Sequence, residues 1–259
     1  MDLQLSGKTA LVTGASRGIG RAIARTLAAE GCSLHLAARS PADLELVRAE
    51  LSAVKGIKVT VHALDLSRNA DVNTLGTRCA EVDILVNNAG AIPFGRLLDV
   101  DAQSWREAWN LKVFGTIDLT RTLYARMRER RSGVVVNVIG VSGERLRADY
   151  LTGTTGNAGL MAFTRALGGE SVDYGVRVVG VNPGKINTER MQKILENQAE
   201  RLLGDRNRWP EITKSSPLGR LGRPEEIADA VTFLASPRAS YISGTIVTID
   251  AGLSARNTE

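Results

Sequence analysis

The chain is short of several residue types, and each shortage excludes something. Among 259 residues there are two cysteines, Cys32 and Cys79, and with no secretory pattern ahead of them a structural disulfide is not expected. They read as small core fillers. The two histidines, His35 and His62, fall in strand-like runs with no thiolate or carboxylate at metal-ligand spacing along the chain, so no metal site is expected. No apolar run approaches the length of a membrane span, and Met1 to Gly7 is not a leader pattern, so a chain without signal peptide or membrane contact, working in the cytoplasm, is expected. Internal repeats, low-complexity segments and linkers are missing as well, which leaves 1–259 as one domain, and 43% hydrophobic with 24% charged residues is enough to bury one sizeable core. The charge of +5 is spread along the chain. Its one dense cluster, Arg126, Arg128, Arg130 and Arg131, stands where a helix should end before Gly133, where cations oppose the helix dipole, so no nucleic-acid partner is expected.

What the chain has is alternation. Short β-branched runs at Thr9–Thr13, Ser33–Ala38, Lys58–Ala63, Ile84–Asn87, Val134–Val138, Val176–Val181 and Ile246–Ile249 are separated by longer amphipathic stretches. This predicts an α/β, Rossmann-type doubly wound seven-stranded parallel sheet flanked by helices. Ser40 and Pro41 open one helix with Leu44, Val47, Leu51 and Val54 on a face, and Pro224 opens another with Ile227, Val231 and Leu234 inward. Long periodic stretches run from Asp101 to Arg130 and from about Gly156 to Tyr174. The segment 187–217 is polar and helix-forming without a strong apolar stripe, and is expected to be a lid over a ligand beyond the strand ends.

Behind the first strand stands Thr13-Gly14-Ala15-Ser16-Arg17-Gly18-Ile19-Gly20, with a helix starting at once. Glycines there let the backbone pass close to a pyrophosphate, while the open N–H groups and dipole of the helix start attract its charge. The Gly-x-x-x-Gly-x-Gly spacing resembles that of the short-chain dehydrogenase/reductase family. So do Asn87-Asn88-Ala89-Gly90 after the fourth strand, Asn182-Pro183-Gly184 through Thr188, and Gly222-Arg223-Pro224-Glu225-Glu226-Ile227-Ala228. The resemblance covers nearly the whole chain. It implies that the glycine turn (Gly14, Ser16, Arg17, Gly18, Ile19, Gly20) holds the pyrophosphate of a nicotinamide dinucleotide. It further implies that Asp65 with Leu66 meets the adenine, that Asn87, Ala89 and Gly90 flank the adenosine ribose, and that Pro183, Gly184, Ile186 and Thr188 lie along the nicotinamide. NAD-dependent members carry an acid at the end of the second strand; here Arg39 stands after Ala38. Arg39 and Arg17 can clamp a 2′-phosphate, which favours NADP(H), with NAD(H) possible.

The family's proton machinery is a tyrosine, a lysine four residues later, a serine after the fifth strand and an asparagine in the long helix before it. Against that pattern this chain has Gly153, Asn157 and Gly140, and keeps only Asn110. Hydride transfer to a carbonyl leaves an alkoxide that a placed donor must quench, so the chemistry is atypical. Tyr150 and Ser142 lie close by in sequence as substitutes, Lys185 follows the Pro-Gly pair as a candidate cation, and Asn157 can bond the nicotinamide ribose. The expectation is an NADP(H)-dependent oxidoreductase working between carbonyl and alcohol, or on an activated alkene, of a small molecule. The alternative is an inactive NADP(H)-binding sensor or partner subunit. By resemblance the chain forms a homo-oligomer, a tetramer or dimer.

Overall fold

The computed structural model describes residues 1–214 and 216–256. Seven strands, β1 (Thr9–Thr13), β2 (Ser33–Ala38), β3 (Val59–Ala63), β4 (Ile84–Asn87), β5 (Gly133–Val138), β6 (Val176–Pro183) and β7 (Ile246–Ile249), form one sheet in the order β3-β2-β1-β4-β5-β6-β7. Every pairing in it is parallel. The helices are α1 (Gly18–Ala29), α2 (Pro41–Leu51), α3 (Asn69–Arg78), α4 (Ala102–Trp109), α5 (Gly115–Glu129), α6 (Leu151–Glu170), α7 (Glu189–Leu203), α8 (Trp209–Thr213) and α9 (Pro224–Ala235). The expected fold class is therefore the observed one.

The two faces of the sheet bury separate cores. Ala22, Ile23 and Leu27 of α1, Leu44 and Val47 of α2, and Ile227 and Val231 of α9 pack on one face. Val72 and Leu75 of α3 and Leu119, Leu123 and Met127 of α5 pack on the other, joined by Leu160 and Met161 of α6. Burial on both sides explains why the strands read as nearly unbroken apolar runs. The chain leaves β3 at one edge and crosses to β4 beside β1, so the strand order reverses between β1 and β4, and the carboxyl ends of those two strands open a crevice.

Local signals held where caps set them. Ser40 accepts the Asp43 N–H at 3.3 Å ahead of Pro41, and Pro224 opens α9 with Glu226 reaching back to the Arg223 N–H at 2.7 Å. Several boundaries differ from expectation: β5 starts a residue early at Gly133, β6 runs on to Pro183, and α2 ends at Leu51, short of Val54. The third strand begins at Val59, because Lys58 gives its N–H to Ser33 Oγ, outside the ladder. The helix expected from Gly156 starts at Leu151, where backbone bonds between Gly95 and the Asp149–Leu151 stretch fix its entry, and it gives way to a 3-10 turn at Ser171–Tyr174. The stretch Asp101–Arg130 holds a π-helical turn, Asn110–Phe114, between α4 and α5, a feature that amphipathic periodicity does not reveal. The arginine cluster at the end of α5 is tied into the protein itself. Arg130 donates to the carbonyls of Ala80 and Val82, Arg131 to that of Asp173, and Arg128 lies over the Tyr174 ring. No helix among the described residues is long and apolar enough to cross a membrane.

Close packing of α6 on the sheet gives a stability test. A Cβ on Gly168 would overlap the Val178 carbonyl and the Gly244 amide, whereas one on Gly169 would meet nothing within 4 Å. Gly168→Ala is expected to cost about 1–3 kcal/mol in urea denaturation, and Gly169→Ala to be neutral or stabilising by up to ~1 kcal/mol.

Candidate active site

The glycine turn is built to be approached. Gly14 and Gly18 hold φ of +66° and +55°, which side chains resist, and a Cβ on Gly20 would overlap the Gly14 carbonyl. Arg17 is the extended N-cap of α1 and supplies no side-chain cap, so the opening amides of that helix remain available to an anion. The turn is clamped from the β4 side. Thr13 Oγ1 donates to the Val86 carbonyl and accepts the N–H groups of Asn88 at 2.9 Å and Ala89 at 3.0 Å. Asn88 Nδ2 returns bonds to the carbonyls of Thr13 at 3.0 Å and Gly14 at 3.3 Å. Asn88 was not among the residues singled out from sequence; its place in Asn87-Asn88-Ala89-Gly90 was the signal. The neighbouring Asn87 turns its amide nitrogen inward, to Thr120 Oγ1 and Asn137 Oδ1, both at 2.9 Å, so that nitrogen braces the core instead of facing a ribose.

Beyond the ends of β2 and β3 lies a cavity of about 480 Å³ lined by Arg39, Asp65, Ser67 and Arg68 among others. Burial would raise the Asp65 carboxyl, but the Ser67 bonds and the nearby guanidinium groups of Arg39 and Arg68 outweigh it and hold the group below its ordinary value. Arg68, missed in the sequence, adds a second guanidinium to the subsite. Leu66 is buried, with its carbonyl against Gly115.

At the opposite end of the crevice, Pro183 closes β6, Gly184 sits against Asp250, and Ile186 is buried beside Gly222. Thr188 caps α7, accepting the Met191 N–H at 3.2 Å, and its methyl stands over Gly18. The start of the expected lid thus touches the glycine turn. The 187–217 segment folds as α7, α8 and intervening 3-10 turns; Ser215 lies outside the described residues. Lys185 is half-buried and borders a second cavity of about 240 Å³ with Leu218 and Asp250.

Five residues at this end interlock, in two groups. Gly140, with φ of +140°, leaves room for Asn157, whose Nδ2 would lie 2.9 Å from a Cβ there. Asn157 Nδ2 donates to Ser142 Oγ at 2.8 Å, and Asn157 Oδ1, buried, has no hydrogen-bond partner among the described residues. Gly153 and Tyr150 share one volume, because a Cβ on Gly153 would fall inside the Tyr150 ring. That ring stacks on Phe94 with centroids 4.2 Å apart, and the guanidinium of Arg190 of α7 lies near its hydroxyl. Arg190 also bonds the carbonyls of Gly90 at 3.2 Å and Ile92 at 2.5 Å. Burial drives the Tyr150 hydroxyl above its ordinary pKa, with Arg190 and Arg147 pulling against it. Behind Gly90, the buried Lys112 donates to the carbonyls of Val138 at 2.8 Å and Ile139 at 3.1 Å, and burial brings its pKa down to about 8. Asn110 is exposed at the start of the π turn, whose Trp109 neighbour ties α4 to the Thr152 carbonyl of α6 at 3.1 Å. The two histidines and Cys79 meet at the far sheet edge, away from this site.

Open amides at α1, a cavity beside two arginines and an unpartnered buried Asn157 Oδ1 fit a dinucleotide laid across the strand ends. Comparison with known proteins agrees. Residues 14–254 match the family described as Enoyl-(Acyl carrier protein) reductase. The chain is 34% identical over 252 residues to the 3-oxoacyl-(acyl-carrier-protein) reductase FabG of Vibrio harveyi, covering 97% of this chain and 99% of that one. It is 35% identical over 255 residues to the galactitol 2-dehydrogenase (L-tagatose-forming) of Cereibacter sphaeroides, 96% of each being covered. L-sorbose reductase of Gluconobacter frateurii, solved with NADPH and L-sorbose, superimposes with a TM-score of 0.91 at 30% identity over 98% of both chains. The chain belongs to the short-chain dehydrogenase/reductase family of oxidoreductases.

The arginines give the cofactor test. Tryptophan-fluorescence titration should show NADPH binding more tightly than NADH, with the preference reduced by about tenfold or more in Arg39→Ala, the order of one lost charge-assisted pair. Equal wild-type affinities would remove the phosphate argument.

Proposed function

We propose that this protein is an NADP(H)-dependent reductase of small carbonyl compounds in which Tyr150 is the proton donor. The contact of the Tyr150 ring with the space in front of Gly153 supports the reading: it brings a phenol, from three residues upstream, beside the position of the family's tyrosine. The open amides of α1 would hold the pyrophosphate, Arg39, Arg68 and Arg17 the 2′-phosphate, and Thr188 the nicotinamide carboxamide. Asn157 Oδ1 would accept a ribose hydroxyl in place of the family's lysine. When bound, the nicotinamide supplies the hydride. NADPH accompanies L-sorbose in the related reductase structure, in keeping with this cofactor.

Tyr150 is held for the purpose. Phe94 fixes the plane of its ring, and the Gly95–Asp149 and Leu151–Gly95 backbone bonds fix its main chain. Arg190 stands where a cation favours the phenolate left after donation, the part that lysine plays elsewhere in the family. Ser142, turned toward Asn157, positions that amide. Asn110 would keep its family role in proton relay. The lid 187–217 then acts through α7, which carries Thr188 and Arg190 at its opening, so closing on the nucleotide also presents the cation to Tyr150.

Direction follows from protonation. A phenol with a raised pKa is protonated at neutral pH and ready to donate, whereas alcohol oxidation needs the phenolate. Reduction should therefore run flat through neutral pH and fall as pH rises through the Tyr150 pKa, above its ordinary ~10, while oxidation should climb over the same range. With NADPH and an activated diketone as probe, Tyr150→Phe is expected to lose about 10²–10⁴-fold in kcat at unchanged NADPH affinity, and Arg190→Gln to lower kcat and move the alkaline limb upward. NADPH binding without turnover of any carbonyl by the wild type would overturn this reading in favour of a nucleotide-binding sensor or partner subunit, a role consistent with Gly140, Gly153 and Asn157 standing in the machinery's places. As in the family, we propose a homo-oligomer, using the surface of α4, α5 and α6 where Phe114 is exposed.

A further inference from the structure

One cluster of reactive side chains takes no part in this chemistry. His35 on β2 and His62 on β3 are diagonal neighbours, since His62 pairs with Ala37 two residues beyond His35, which puts both on the sheet face covered by α3. Cys79, the C-cap of α3, comes down onto them. His35 Nδ1 lies 2.9 Å from His62 Nε2, and Cys79 Sγ lies 3.7 Å from that same nitrogen. All three atoms fall within 4.8 Å of one another. His62 and Cys79 are buried, while His35 is partly open and offers the way in.

We propose that His35 Nδ1, His62 Nε2 and Cys79 Sγ form a three-coordinate site for a soft monovalent cation, Cu(I). At the ~120° angles of a trigonal site, metal–imidazole bonds of ~2.0–2.1 Å and a metal–thiolate bond of ~2.3 Å hold nitrogen and sulfur about 3.8 Å apart, near the 3.7 Å already present between His62 and Cys79. The two nitrogens would need roughly 3.6 Å by the same bond lengths and angle, so the near-parallel rings, inclined by 11° and 2.9 Å apart at these nitrogens, must part by about 0.7 Å and exchange one hydrogen bond for two metal bonds. Imidazole and thiolate together suit Zn(II) and Cu(I). Charge and ligand number choose between them. No fourth histidine, cysteine or carboxylate joins the group among the described residues, which meets the trigonal demand of Cu(I) and leaves tetrahedral Zn(II) one protein ligand short. Lys58 and Arg78 lie within electrostatic range of the rings; beside them the Cu(I)–thiolate complex is neutral, whereas the Zn(II) complex keeps a net positive charge that burial penalises. On binding, the S–H bond of Cys79 breaks, its proton passes to solvent and the S–Cu bond forms, with no change of oxidation state. The bound ion would pin β3, an edge strand bonded to the sheet on one side only, to α3.

The full chain is titrated anaerobically with Cu(I) against bathocuproine disulfonate, and X-ray absorption is recorded on the loaded protein. One equivalent withheld from the chelator, with one sulfur and two nitrogen scatterers, is expected. Cys79→Ser and His35→Asn should each weaken retention at least about tenfold, since even outer-shell changes cost that much, and Cys32→Ser should not. His35→Asn alters a partly exposed side chain, so it keeps the test decisive should Cys79→Ser fail to fold. Retention equal in wild type and both variants, or a spectrum without sulfur, would overturn the site; one equivalent of Zn(II) held in preference to Cu(I) would overturn the choice of cation.

Discussion

The structure depends first on how the glycine turn is held. An anion-binding helix start works only if its amides stay aimed at one point, and the turn ahead of α1 has little side-chain bulk with which to stiffen itself. The stiffness comes from the neighbouring strand. Thr13 and Asn88 exchange bonds between the ends of β1 and β4, and the contact of Gly20 with the Gly14 carbonyl locks the turn from within. Because β1 and β4 are also the strands between which the sheet order reverses, the same bonds fix the crevice in which a ligand lies. Asn87 extends this bracing into the core through Thr120 and Asn137, and Asn137 passes it to Thr164 of α6 at 2.9 Å. A buried polar chain of this kind is stable only while every member is satisfied, and it links the nucleotide end of the crevice to the helix that carries Gly153 and Asn157.

Much of this was legible in the sequence because it is local. Each strand announced itself by a short apolar run, β-branched in all but β2, and Ser40, Pro41 and Pro224 marked helix starts through caps that need no tertiary partner. The Gly14–Gly20 spacing carried its own physical reason. What was not legible depends on residues brought together by folding. Asn88 stood in the sequence only as part of Asn87-Asn88-Ala89-Gly90, and its role rests on the Thr13 and Gly14 carbonyls that folding brings to it. The π turn at Asn110 leaves the apolar period almost unchanged. His35, His62 and Cys79 come from two strands and a helix, so no spacing rule along the chain could group them, and the expectation of no metal ligand set rested on that spacing alone. The start of α6 was misplaced by five residues because the bonds that set it come from Gly95, far away in sequence.

The nicotinamide end shows how a site can be re-equipped without being rebuilt. The backbone scaffold there, from the strand ends to the Pro183-Gly184 turn, follows the family, and the changes are confined to side chains that trade volumes. A glycine at 140 admits Asn157, and a glycine at 153 admits the Tyr150 ring. A cation is also present on α7, at Arg190, whose bonds run to the loop after β4.

This trading of volumes has an evolutionary edge. Because position 153 and the ring of residue 150 cannot both be filled, a tyrosine reappearing at 153 would collide with the one already present, and a serine at 140 would press on Asn157. Neither side chain is thus accommodated alone, and each would demand a compensating replacement in its neighbour.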